Sequence, residues 1–133
     1  MKMNLLLLFV AAVLSATLGA AVEIERLEES IAKLQAYEYD KTGGVDLRWV
    51  EAQVGMASAD ASVRERVEDK LIESLAAANT NDARQFLCRQ LRTIGTARSV
   101  PALASMLGDA EMSHMACYAL GRIGVPEAGE ALH

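Results

Sequence analysis

The stretches Ile94-Gly95-Thr96-Ala97-Arg98-Ser99-Val100-Pro101-Ala102-Leu103 and Ala119-Leu120-Gly121-Arg122-Ile123-Gly124-Val125-Pro126-Glu127-Ala128 are two versions of one pattern, and their relation decides the fold. A shift of 29 residues lays Cys88 on Cys117, Leu91 on Leu120, Ile94 on Ile123, Gly95 on Gly124, Ala102 on Ala131 and Leu103 on Leu132. The identities trace a helix, a glycine turn and a second helix. A short helical hairpin cannot bury its apolar face alone, so such a repeat implies hairpins stacked on one another. In the first copy the expected helix runs from Asp82 to Thr93, the turn takes Gly95-Thr96-Ala97, and a second helix runs from Ser99 to Leu107. Ser99 is the expected cap of that second helix, with Pro101 just inside it, where a missing N–H removes nothing the helix uses.

Upstream, the same helical spacing continues without a clear glycine turn. Val63, Val67, Leu71 and Leu75 recur every four residues and predict a helix from Ser62 to about Ala78. Its charges read as a solvated face, with Arg64 and Glu68 an attractive i,i+4 pair and Arg66 and Lys70 a repulsive one. Asn79-Thr80-Asn81-Asp82 ends that helix and caps the next. Leu47, Val50 and Val54 predict a helix over Asp46 to Ala57, with Trp49 at the edge of its buried side. Asp40-Lys41-Thr42-Gly43-Gly44 breaks the chain, because paired glycines are unfavourable inside a helix. Before the break, Ile24, Leu27, Ile31 and Leu34 form one stripe of an amphipathic helix from Val22 to Tyr37. That stripe packs on the next helix or, alternatively, pairs as a short coiled coil.

The N-terminus is set apart from this pattern. Lys2 is followed by the unbroken apolar run Leu5 to Leu14, and small residues gather at Ser15, Ala16, Gly19, Ala20 and Ala21. This is the layout of a secretory signal peptide, 1–21, with cleavage after Ala21 or near Gly19 or Ala20. The apolar run is short for a bilayer span of roughly 20 residues, although a retained membrane anchor is the competing reading. Cleavage leaves a periplasmic or secreted chain without a membrane segment. The formal net charge of the 133 residues is −5, and residues 22–79 hold 13 acidic and 7 basic side chains against 5 of each in residues 80–133. An acidic surface of this kind argues against nucleic acid as a partner. Few aromatics and much Ala, Leu, Arg and Glu favour helix.

The second copy, Ala119 to Ala128 continuing through Ala131-Leu132, resembles the HEAT-like repeat of the phycobilisome-lyase type, and the first copy looks like the same unit. Across Phe86 to Leu120 the chain further resembles exported repeat proteins of planctomycete and verrucomicrobial bacteria, which carry no assigned activity. The resemblance implies an all-α chain: a HEAT-like α-solenoid of stacked helical hairpins, preceded by the signal peptide. Residues 22–81 are then N-terminal helices that include a divergent repeat, and residues 82–133 are two repeats. The second of these stops at Leu132-His133, inside an expected helix, so a longer natural chain or a truncated reading frame is expected.

Candidate sites divide between chemistry and surface. Cys88 and Cys117 invite a disulfide, but equivalent positions on parallel helices about 8–10 Å apart exceed its reach, so two small buried thiols are expected. His114 has no neighbouring ligand cluster and reads as a partly exposed surface residue. There is no nucleophile–base pair, metal cluster or phosphate loop, which leaves no catalytic, metal or cofactor site to name and argues against an enzyme. Arg84, Arg89 and Arg92 share a broad helix face, with Arg98 in the following turn; they form either a ridge for an acidic partner or an ordinary solvated face. Among the methionines of residues 101–120, Met106 and Met112 are the ones expected to be exposed, where a flexible thioether suits an adaptable interface. The expectation is a protein- or peptide-binding scaffold module that uses Arg84, Arg89, Arg92, Arg98, Met106 and Met112. The alternative is a structural spacer or fragment of a larger envelope protein.

Overall fold

The computed structural model describes residues 23–41 and 43–133; the expected signal segment and Thr42 lie outside the described residues. Every regular element in them is helical. Helix α1 covers residues 23–33 and tightens into a 3-10 turn at Leu34–Ala36. Six further helices follow in pairs with a short turn between: α2 (Leu47–Ala57) with α3 (Ala61–Ala77), α4 (Asn81–Ile94) with α5 (Val100–Ala104), and α6 (Ser113–Ile123) with α7 (Pro126–Ala131). A 3-10 turn at Ala97–Ser99 leads into α5. Among the described residues no helix is long and apolar enough to cross a membrane.

Side-chain oxygens place the helix starts. Asp46 accepts from Trp49 N at 3.1 Å, Asp60 from Ser62 N at 3.0 Å and Val63 N at 3.3 Å, and Thr80 from Ala83 N at 3.1 Å. Each satisfies N–H groups that a helix start leaves without partners. Thr80 has a second task, since its hydroxyl donates to the Tyr37 carbonyl. Beside it, Asn79 N donates to Gln35 O at 3.0 Å and Tyr39 N to Asp82 Oδ2 at 2.9 Å. The end of α1 is thereby tied to the corner between α3 and α4. Asp40, just after these ties, takes the left-handed conformation at φ 62°.

The helices meet in two sets. α2, α4 and α6 are successive neighbours, and so are α3, α5 and α7. One apolar core runs between them from Leu27 and Ile31 through Val67, Leu71 and Leu91 to Leu103 and Leu120. The stripes read from the sequence account for most of it: Val50, Val54, Val67 and Leu71 are fully buried.

Several expectations are corrected. The second helix of the first copy is shorter than Ser99 to Leu107, because a 3-10 turn precedes it and turns follow at residues 105–108. Ser99 stands at the cap position of α5 without a side-chain cap bond, since its hydroxyl donates to Glu68 instead. Glu68 is no partner of Arg64: it is 1% exposed and accepts from Thr96 N at 2.7 Å, Thr96 Oγ1 at 3.0 Å and Ser99 Oγ at 2.6 Å. Arg66 pairs with Glu28 of α1, and Lys70 with Glu73, so the expected Arg66–Lys70 repulsion is relieved by separate carboxylates. The two cysteines are unpaired but unlike. Cys88 is buried with Sγ 3.9 Å from Met106 Sδ, whereas Cys117, expected to be buried, is exposed on the outer side of α6.

Candidate partner-binding surface

The six residues singled out in the sequence are not gathered in one place. Arg84 and Met106 meet in a cleft of about 250 Å³ between the end of α3, the start of α4 and α5 with its following turn. Leu75 and Ala102 are among its apolar lining, and Asp109 faces it with opposite charge to Arg84. Arg84 is steadied by Asn81, whose Oδ1 accepts from Nη1 at 3.2 Å, and Asn81 in turn donates to Glu111. The cleft thus has an apolar lining and a charge of each sign, held by short local contacts.

Arg89 and Arg92 stand in a different groove, of about 200 Å³, with Gln90 and Thr93 of α4, Glu51 of α2 and Tyr118 of α6. The Arg92 guanidinium lies 4.1 Å from the centre of the Tyr118 ring, a cation–π contact on a side chain that is 51% exposed. Tyr118 was missed in the sequence because its spacing marks it only as an outward position of a helix.

Arg98 belongs to neither surface. Its guanidinium holds Asp69 through Nε and Nη2, at 3.2 and 2.5 Å, and Glu65 through Nη1 at 2.8 Å. The Asp69 hydrogen bond raises its pKa above the usual arginine value. Its donors join the turn after α4 to α3 rather than facing a partner. Met112, expected to be exposed, is fully buried. The cause is the turn before α6: Asp109 Oδ1 accepts from Glu111 N at 2.9 Å and Met112 N at 3.3 Å, and the folded turn delivers the methionine inward.

The groups able to do chemistry are sparse. Burial pushes the Cys88 thiol up to about 12, which keeps it protonated and unreactive near neutrality. His114 is exposed on α6, as expected. Among the described residues no three His, Cys, Asp or Glu side chains stand where they could hold a metal ion.

Residues 68–133 match the family model described as HEAT repeats. Over those residues the chain is similar to HEAT-repeat proteins. HEAT repeats are in general protein-interaction scaffolds, and the match begins at Glu68, the residue of α3 that reaches into the α4–α5 hairpin. No curated protein and no solved structure matches the chain.

Proposed function

We propose that this chain is an exported HEAT-like scaffold that binds a protein or peptide and does no catalysis. In this reading α2–α3, α4–α5 and α6–α7 are the hairpins of a short solenoid, whose second helices line the inner surface. The observation that carries the proposal is the cleft between α3 and α5, where Arg84, Met106 and Asp109 surround an apolar lining. It suits one side chain of an extended segment, with an apolar body against Met106 and polar groups turned to Arg84 and Asp109. Export is supported by the three-part layout of residues 1–21, and it would present the scaffold to periplasmic or extracellular partners.

The test couples capture to the cleft. Ser105 is exposed at its rim, so Ser105→Trp fills the space with little disturbance of the core. Photo-crosslinking of the wild-type chain in an envelope extract is expected to give a discrete adduct that Ser105→Trp abolishes. An adduct that persists in the variant sinks the reading, as does the absence of any discrete adduct. N-terminal sequencing of exported chain, expected to begin near Val22, tests the signal segment.

A further inference from the structure

The groove on the other set of helices has the makings of a separate site. It crosses three successive helices, taking Glu51 from α2, Arg89, Gln90, Arg92 and Thr93 from α4, and Tyr118 from α6. Its two cations are uncompensated. Among the described residues the Arg89 and Arg92 side chains hold no carboxylate and make no hydrogen bond; their guanidiniums lie 5.6 and 4.1 Å from the centres of the Phe86 and Tyr118 rings. Residues 83–123 contain five arginines and two acidic side chains, in a chain whose net charge is −5. The local sign is therefore opposite to that of the whole.

The donors are also prepared. Contact with Tyr118 restrains the Arg92 guanidinium, and its Nε is sealed from solvent without a partner. A restrained fork loses less side-chain entropy when it takes a carboxylate. Gln90 is 3% exposed and lines the same groove. Its amide offers both a donor and an acceptor to a segment brought into the groove. Glu51 pairs with neither arginine and marks the α2 end of the groove as negative.

We propose that this groove binds an acidic peptide segment, whose carboxylates are held by Arg89 and Arg92 and whose backbone or side-chain carbonyl is met by Gln90. The proposal deepens the scaffold reading by naming the partner's chemistry at a surface other than the α3–α5 cleft. Glu51 sets the direction: the segment lies with its acidic end toward Tyr118 and away from α2. Tyrosine and arginine side by side are also the residue types that most often dominate binding energy.

The probe is a fluorescein-labelled hexaglutamate peptide, followed by anisotropy with the full chain at low salt. Saturable binding is expected, weakened about tenfold or more in Arg89→Gln/Arg92→Gln and tightened in Glu51→Gln. Arg64→Gln, on α3 and outside both the groove and the cleft, is expected to stay within about twofold of wild type. Circular dichroism confirms that each variant is folded. Absence of saturable binding overturns the proposal. So does equal weakening by Arg64→Gln, which would reveal diffuse attraction, or a single-stranded oligonucleotide of equal charge that binds more tightly than the peptide. Ser105→Trp blocks the cleft and spares the groove, so it is expected to bind hexaglutamate as the wild type does. Failure of either surface leaves the other's result standing.

Discussion

A methyl group on Gly95 would stand 2.4 Å from the Leu91 carbonyl oxygen, 3.0 Å from Ile123 Cδ1 and 3.1 Å from Ser99 Oγ. Its aligned partner, Gly124, has open surroundings but sits at φ +67°, a conformation that side chains with a Cβ adopt at a cost. One glycine permits close approach of α4 and α6; the other permits a left-handed turn. Gly95→Ala is accordingly expected to lose about 1–3 kcal/mol of stability through overpacking, and Gly124→Ala about 1 kcal/mol through backbone strain. Denaturant titration of both variants checks this, and a Gly124→Ala loss larger than that of Gly95→Ala would contradict it. The cysteines differ as sharply. Maleimide is expected to modify Cys117 quickly and Cys88 only on unfolding, so two rapidly reacting thiols in native protein would disprove the burial of Cys88. The Cys88 pKa carries a pH signature: from about 9 to about 12 the unfolded thiol ionises while the folded one stays protonated. The unfolded state then binds fewer protons, and stability falls with rising pH by about 1.4 kcal/mol per unit, a slope absent below 9. Cys88→Ala is expected to lack this fall, which urea titrations between about pH 8 and 11 would read as a difference from wild type.

At the scale of elements, Glu68 and Thr80 join helices that the sequence presents as separate. Glu68→Ala strips partners from Thr96 N and from two hydroxyls, and is expected to destabilise by about 2–3 kcal/mol, with Glu68→Gln losing less because an acceptor remains. Thr80→Ala removes the α4 cap and the bond to Tyr37, for about 1–2 kcal/mol. Thermal or chemical denaturation measures both; a neutral Glu68→Ala would show that the carboxylate is not a structural tie. These contacts mark the limit of what the sequence discloses. α4 was legible almost to its ends, because apolar spacing, a capping threonine and a terminal glycine are local signals. Glu68 was not, since its partners lie 28 and 31 residues away and its spacing is that of a solvated face. Met112 was misread for a related reason: the turn made by Asp109 rotates it inward, and no helical period reports a turn.

For the whole molecule, a single core from Leu27 to Leu120 predicts one cooperative transition rather than independent hairpins. Trp49 reports from the α1–α2 side, with the Arg26 guanidinium 4.3 Å from its ring centre, whereas helical ellipticity reports from every element. The two probes are expected to give one midpoint, and separated midpoints would indicate that the N-terminal helices unfold alone. The fold class was readable from the repeat, but the division of the arginines was not. Arg84, Arg89 and Arg92 share one helix and serve two surfaces, because neighbouring helices decide which cavity each side chain enters. The Glu68 tie has a further meaning at this scale. Thr96 and Ser99, which receive its carboxylate, align with Val125 and Ala128 in the next copy, where no hydroxyl is available. Were α3 to dock one repeat too far along the chain, it would bury that carboxylate against valine and alanine. The similar hairpins are thereby kept from exchanging places, and a chain built by near-repetition assembles in a single order.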